Sequence, residues 1–425
     1  RLLSLKPIQN PIYPMDETAS VTFVSVLVAL LIGLTIGKAW ERYKLRGGRW
    51  IDRRKARKSP HYILGLNFLV SNQIDLAIEE LSNAAGLDAD ALEVHMILGN
   101  LYREKGQVAR AIQVHQDLLQ RPGLSTIEHA YVLLCLGLDF RRGGIVDRAL
   151  ETFNEVLRLD SDNRYALLNI GKLYEDQHQW PEAYAIRKRV MALAEPESQV
   201  SHRSILAFLE TEIGQEAQSK TDVKEAISHF ESAIELDKST VPAYLNLGDV
   251  RLASGDAKGA ISAWERIIKV EPSRAYLAFD RLDDAYPKIG SPKKFQELCR
   301  QLITSNPLDW RARQALARHL TERGSVRDAL ELLLEALVHN PHALSIHQSI
   351  LQTLTELNFD TVLVQRYVEL TRGAIFYLDP HICINCRYRS TELLWQCPQC
   401  HEWKTFLEER MAPAKEPVNP HRERE

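Results

Sequence analysis

Apolar side chains recur at helical spacing along the segment VPAYLNLGDVRLASGDAKGAISAWERIIKVEP, residues 241–272. Tyr244 and Leu247 belong to one apolar face, and Trp264 belongs to a second face after a short polar stretch. Gly248 lies beside the first face, where a small residue allows two antiparallel helices to approach closely. The pattern therefore predicts a helix-turn-helix hairpin over these residues.

A similar pattern recurs along most of the chain. Leu-Gly or Ile-Gly pairs mark the first helix of each copy, and a second marker, usually Ala, opens the second helix. Successive second markers are separated by 34 or 35 residues, apart from two longer spacings of 38 and 43. They are Ala77, Ala111, Ala149, Ala183, Ala226, Ala260, Phe295 and Ala329. Chance similarity between amphipathic helices would not keep both markers in phase.

A helical period of 34 residues is the signature of the tetratricopeptide repeat, so the chain resembles proteins of that class. The resemblance implies an all-α solenoid of about eight to nine repeats over residues 59–377, whose concave face holds a protein or peptide. It does not imply catalysis, and we expect no enzyme activity. The pair of segments that follows Pro341 is expected to cap the solenoid.

Residues of the first helices are the candidates for a partner-binding groove. In tetratricopeptide proteins the residue after the repeat glycine, and the one three positions later, line the groove. These positions predict a groove that includes Asn100, Arg103, Arg141 and Lys172. The alternative is that these polar side chains only face solvent.

The N-terminal region predicts a membrane anchor. Residues 19–37 contain no charge, and a helix of this length spans roughly 28 Å, enough to cross a bilayer. The following segment, residues 38–58, holds ten Lys and Arg, so the positive-inside rule places the repeats in the cytoplasm and the N-terminus in the periplasm. Asp16 and Glu17 argue against a cleaved signal peptide. Residues 1–18 are expected to be a short periplasmic or non-native N-terminus, with Met15 as the true start.

The charge distribution narrows the class of partner. Residues 1–58 hold 12 Lys and Arg against 4 acidic residues, whereas the whole chain has a net charge of −3. The repeats are therefore acidic, and we expect no nucleic-acid partner.

Four cysteines near the C-terminus predict a metal centre. Two Cys-x-x-Cys pairs, separated by ten residues, supply Cys383, Cys386, Cys397 and Cys400. Four thiolates form a closed tetrahedral site for one zinc or iron ion, which favours a structural role. Residues 378–408 are too few to fold without a bound metal ion. Trp395, Trp403 and Tyr388 are expected to form a small aromatic wall, and residues 409–425 are expected to be disordered.

The order of these parts resembles the lipopolysaccharide assembly protein B family of Gram-negative bacteria. The motif Leu-x-Trp-x-Cys-Pro-x-Cys stands here at residues 393–400 and carries the resemblance in a rubredoxin-like, or zinc-ribbon, module. Arg387 departs from the family, which usually has Gly at this position. The resemblance implies a bacterial inner-membrane adaptor that binds the committing deacetylase of lipid A synthesis. It also implies delivery of this client to the membrane protease FtsH, under control of an inner-membrane lipopolysaccharide sensor.

Two other functions are compatible with the residues. One is a general scaffold or co-chaperone for an envelope complex, and the other is an electron-transfer protein with an iron centre. A homo-oligomer is also compatible with the sequence. The two remaining cysteines, Cys135 and Cys299, lie among apolar neighbours and are expected to be small core residues.

Overall fold

The computed structural model describes residues 59–87, 91–340, 343–357, 362, 365 and 381–408. The predicted membrane span at 19–37, the basic segment at 38–58 and the tail at 409–425 lie outside these residues. Among the described helices, none is both long and apolar enough to cross a bilayer.

Helices follow one another as antiparallel pairs, as the repeat predicts. Their bounds are α1 Pro60–Val70, α2 Ile74–Leu87, α3 Leu92–Glu104, α4 Val108–Leu119, α5 Thr126–Arg142, α6 Val146–Leu159, α7 Arg164–Asp176, α8 Trp180–Ala192, α9 Pro196–Ser219, α10 Val223–Leu236, α11 Val241–Ala253, α12 Ala257–Val270, α13 Phe279–Ala285, α14 Lys294–Ser305, α15 Trp310–Glu322, α16 Val326–His339 and α17 Leu344–Glu356. The chain divides into two compact units, residues 1–166 and 167–425.

In each of the first six hairpins, a side chain of the second helix packs against the repeat glycine of the first helix. A β-carbon at Gly248 would lie only 2.1 Å from Nε1 of Trp264, so the indole packs directly against the backbone of the facing helix. In every one of these hairpins the residue over the glycine comes 16 positions later. The pairs are Gly65 with Leu81, Gly99 with His115, Gly137 with Phe153, Gly171 with Arg187, Gly214 with Phe230 and Gly248 with Trp264. The small residue thus sets the close helix approach that the sequence predicts.

The turn inside the hairpins also repeats. Seven residues after the repeat glycine the backbone is left-handed, for example at Gly255 with φ of 88°. Three hairpins place a residue with a side chain at this position, namely Asn72, His178 and Thr221. A positive φ is costly for a β-branched residue. Thr221 therefore adopts this conformation because the turn requires it, and not because threonine favours it.

Two departures from the regular repeat are visible in the second unit. Helix α9 has 24 residues, which accounts for the spacing of 43 residues between the markers Ala183 and Ala226. The seventh copy begins with a 3₁₀ helix, Pro272–Ala278, before α13, and a second 3₁₀ turn, Pro287–Ile289, follows. Tyr286 and Phe295 nevertheless remain fully buried in the core of this region.

The C-terminal module contains a small antiparallel sheet with the strand order β2-β1-β3. The strands are β1 His381–Cys383, β2 Arg389–Ser390 and β3 Phe406–Glu408. Strand β1 pairs His381 with Ser390 on one side and Cys383 with Phe406 on the other. This sheet brings the first cysteine next to the segment that follows the last one.

Candidate metal centre and its docking surface

The four predicted ligands converge on one point. Their sulfur atoms all lie within 4.8 Å of one another. Cys383 Sγ lies 3.7 Å from Cys400 Sγ, and Cys386 Sγ lies 3.5 Å from Cys397 Sγ. A tetrahedral zinc site with Zn–S bonds of about 2.3 Å requires sulfur separations of about 3.8 Å, so this arrangement fits one zinc or iron ion.

Hydrogen bonds prepare the first knuckle to bind a cation. Burial alone would raise the pKa of the Cys383 thiol, but the Thr405 hydroxyl and the backbone amides of Cys386 and Asn385 lower it to about 6. The Thr405 oxygen lies 3.2 Å from Cys383 Sγ. Cys397 is different, because burial raises its pKa to about 12. Its deprotonation therefore depends on the positive charge of the ion itself.

Arg387 adopts the backbone conformation that its position demands. Its φ is 66°, in the left-handed region that glycine takes without strain. The departure from the family pattern at this residue therefore leaves the knuckle geometry intact, and its amide still donates to the carbonyl of Cys383 at 2.9 Å.

The module is packed against the repeats of its own unit. Trp403 stacks on Phe208 of α9, with ring centroids 5.4 Å apart and planes 18° apart. Trp395 contacts the same ring at 5.9 Å, and the Arg274 guanidinium lies 4.8 Å above the Trp395 ring. The two tryptophans thus line the interface with the repeats. The predicted aromatic wall is wrong in this respect, because Tyr388 packs edge-on against Phe406 instead.

Polar contacts surround this aromatic stack. The Trp403 indole N–H and the Gln396 amide both donate to Glu175 Oε2, each at 3.1 Å. Lys172 Nζ lies 2.8 Å from Glu402 Oε1, and His401 Nδ1 lies 2.5 Å from Asp176 Oδ1. At the far end of the module, Arg311 pairs with Glu408. Helix α7 therefore provides most of the charged groups that hold the module.

Glu175 is held from its other side by Arg187. The guanidinium Nε donates to Glu175 Oε1 at 2.6 Å, and the two residues are 4% and 1% exposed. Arg187 occupies the position over Gly171 at which three other hairpins place an aromatic ring. A charged residue at this core position needs a buried partner, and Glu175 supplies it. The buried pair orients one carboxylate oxygen toward the module.

The predicted groove residues have different surroundings. Arg103 donates to Asp139 Oδ1 at 2.9 Å and to Asn100 Oδ1 at 2.9 Å, so both predicted residues belong to one network of the first unit. His115, which lies over Gly99, completes that network by pairing with the other oxygen of Asp139. Arg141 is half-buried on α5.

Lys172 contacts Glu402 of the module. The role of the four predicted groove residues in binding a partner protein remains a prediction. Our sequence interpretation overlooked Arg187, and a charge in place of an aromatic ring was the signal that could have identified it.

The other two cysteines are core residues, as predicted. Cys135 and Cys299 are buried, and burial raises the pKa of both thiols, that of Cys135 to about 11. Such thiols are poor nucleophiles and poor metal ligands.

Comparisons with known proteins agree with this architecture. Residues 381–408 match the family described as the rubredoxin metal binding domain. Residues 62–123, 135–188 and 211–287 match the tetratricopeptide repeat family. Lipopolysaccharide assembly protein B of Escherichia coli K12 is 25% identical over 355 residues, covering 82% of this chain and 89% of that protein. These matches confirm the predicted resemblance to the lipopolysaccharide assembly protein B family.

The Haemophilus influenzae member of the lipopolysaccharide assembly protein B family is 24% identical over 387 residues, covering 84% of this chain and 94% of that protein. Among solved structures, the C-terminal part of a tetratricopeptide protein from Cytophaga hutchinsonii is 14% identical with a TM-score of 0.40. That match covers 68% of this chain and 99% of the other. Both lipopolysaccharide assembly protein B relatives are named as assembly proteins, in agreement with the prediction that this chain is not an enzyme.

Proposed function

We propose that this chain is a membrane-anchored adaptor that controls lipopolysaccharide synthesis through protein turnover. In this proposal the repeats bind the committing deacetylase of lipid A synthesis and bring it to the membrane protease FtsH. An inner-membrane lipopolysaccharide sensor regulates the delivery. The similarity to lipopolysaccharide assembly protein B, over more than four fifths of the chain, is the observation that carries the proposal.

The structure supports a binding role rather than a chemical one. Four thiolates would fill the coordination shell of a zinc or iron ion, so no open position would remain for a substrate. When bound, the ion supplies folding energy to a module that has little apolar core of its own. The residues around it, Trp403 and Glu402, are engaged with the repeats.

Tethering supplies the mechanism. A soluble client held close to a membrane-embedded protease meets it at a much higher effective concentration, without any new chemical step. We place the tether at residues 19–37, with the repeats and the metal module in the cytoplasm. The basic run that follows the uncharged segment supports this orientation.

Deletion of the anchor tests the proposal. A chain without residues 15–40 should bind the purified deacetylase as tightly as the full chain, yet fail to lower the level of the deacetylase in cells. Replacing residues 19–37 by an unrelated spanning helix should restore at least part of the effect. If the anchor-free chain lowers the deacetylase level as well as the full chain does, tethering is not the mechanism.

A further inference from the structure

Helix α1 differs in composition from the first helices of the hairpins that follow it. Residues 60–70 include no Asp, Glu, Lys or Arg. Four and five positions after Gly65, its repeat glycine, α1 has Leu69 and Val70. The next three hairpins have two charged residues at these positions, namely Arg103 and Glu104, Arg141 and Arg142, and Glu175 and Asp176. The first hairpin thus has an apolar pair in place of a charged one.

Several of the apolar side chains of α1 are exposed. Val70 is 89% exposed and Ile63 is 54% exposed. They are seven positions apart, about two helical turns, so both project from the same face of the helix. Leu64 borders this face and is 43% exposed, whereas its counterpart in the second hairpin, Leu98, is buried in one core cluster with Leu81. We refer to the surface formed by Ile63, Leu64 and Val70 as the outer face of α1.

The opposite side of α1 is fully used by the first hairpin. Gly65 is buried against Leu81 of α2, and Phe68 packs on the core cluster of the same hairpin. A helix that is apolar all round is normally buried on every side, in a protein core or in lipid. Contiguous exposed apolar surface marks a site of interaction. The described residues leave the outer face uncovered, so it needs a partner from elsewhere.

Positive charge stands immediately before this helix in the sequence. Residues 53–58 contain five Lys and Arg, and α1 begins two positions after Lys58. Basic residues beside an apolar helix face are typical of segments that bind the surface of an anionic membrane. The uncharged run at 19–37, which we place in the membrane, is separated from Ser59 by 21 residues. A connection of this length allows α1 to reach the bilayer surface.

The acidic residues of the first hairpin lie on α2. Glu80 pairs with His61 at 2.7 Å, and Asp75 pairs with Lys105 of the next hairpin. Glu79 is exposed on α2. Negative charge within the two helices is thus confined to the second one. The outer face of α1 carries none that would repel an anionic surface.

We infer that the outer face of α1 docks on the anionic surface of the membrane. Its apolar side chains insert among the lipid chains, and the basic residues at 53–58 pair with the phosphate headgroups. The inference rests on the proposed function, of which the membrane anchor is a part, and adds a second contact with the bilayer. This contact would fix the orientation of the first unit relative to the membrane, which a single spanning helix and a linker do not fix.

A dye attached to Val70→Cys tests the inference in the full chain. The purified, metal-loaded chain is reconstituted into vesicles of phosphatidylethanolamine and phosphatidylglycerol, and the introduced thiol is labelled with the environment-sensitive dye nitrobenzoxadiazole. Cys135 and Cys299 are buried and the other four cysteines hold the metal, so the native thiols are protected. We expect the dye emission to shift to shorter wavelength and to be quenched by brominated lipid, because the dye contacts the lipid chains.

Matched variants locate the contact. Asn83→Cys places the same dye on an exposed polar position of α2 and should show no quenching. Adding Ile63→Glu to Val70→Cys should remove most of the quenching, because a charge on the outer face is costly to insert among lipid chains, whereas Ile63→Leu should retain it. Vesicles of phosphatidylcholine alone should give weaker quenching than the anionic vesicles. Helicity measurements verify that each variant is folded.

The inference is overturned if the dye at position 70 is quenched no more than the dye at position 83, or if Ile63→Glu leaves the quenching unchanged. Equal quenching in anionic and neutral vesicles would contradict the pairing with headgroups. A shift to shorter wavelength without quenching would also overturn the inference, because a second copy of the chain would then cover the outer face.

Flotation of the vesicles separates these results from a failure of the proposed anchor. A chain that floats with the vesicles but whose dye is not quenched contradicts the docking of α1 alone. A chain that does not float contradicts the anchor, and the docking of α1 with it. Neither result depends on the turnover of the deacetylase, which is measured separately.

Discussion

The indole N–H of Trp403 donates a hydrogen bond to Glu175 across 228 positions of the sequence, with an N···O distance of 3.1 Å. Glu175 is buried, and its second oxygen is held by Arg187 at 2.6 Å. This buried carboxylate, which also accepts from the Gln396 amide, joins the metal module to the repeat core. Stability of the module and stability of helix α7 are therefore coupled at this residue.

Substituting Trp403→Phe tests this coupling. The variant keeps a ring that can stack on Phe208, but Glu175 loses one donor, at a cost of about 1–3 kcal/mol. We expect faster hydrogen exchange over residues 381–408 while the metal content is unchanged. Tyr388→Phe, a similar loss of one polar group on an aromatic ring away from Glu175, is the control and should leave exchange as it is.

Substituting Arg187 should lower the stability of the protein more than substituting Trp403 does. Arg187→Met leaves the Glu175 carboxylate buried without its main partner, and this should reduce the free energy of unfolding by about 3–5 kcal/mol. Adding Glu175→Gln removes the unpaired charge, so the double variant should recover part of the loss. Urea denaturation of the single and double variants measures the coupling. Equal stabilities of the two variants would show that the pair is not buried.

Loss of one thiolate should unfold the module alone. Cys397→Ser removes one of four ligands from a segment whose fold depends on the metal. We expect loss of stoichiometric metal and rapid proteolysis of residues 381–408, with the helical circular dichroism signal of the repeats retained. Cys299→Ala, which alters a buried thiol of the repeats, should keep the metal. Full metal content in Cys397→Ser would contradict the four-thiolate assignment.

A half-buried carboxyl on α9, that of Glu212, predicts a dependence of stability on pH. Burial raises the pKa of Glu212 from 4.5 to about 7. Between these values the unfolded chain has released the proton and the folded chain still holds it, so stability falls as the pH rises. The rise in pH thereby lowers the free energy of unfolding by about 2–3 kcal/mol. Glu212→Gln should reduce the difference in urea midpoint between pH 5 and pH 8, whereas Glu197→Gln, an exposed change on the same helix, should not.

The regular part of the fold could be predicted because its contacts are local. Gly248 meets Trp264 only 16 residues later, and this spacing recurs, so amphipathic pattern and small residues define each hairpin. The metal ligands were equally predictable, since Cys383 and Cys386 form a self-contained motif. The docking of the metal module onto the repeats could not be predicted. Phe208 and Trp403 are far apart in sequence, and each looks like an ordinary core aromatic until the repeats bring them together.

The half-life of the lipid A deacetylase, measured after a block of protein synthesis in cells with and without this chain, tests the adaptor account most directly. The account predicts rapid decay when the full chain is present and a markedly longer half-life when it is absent. Restoring the full chain should restore decay, and depleting FtsH should abolish it again. An unchanged half-life in cells lacking the chain would contradict the account and leave a general scaffold as the better interpretation.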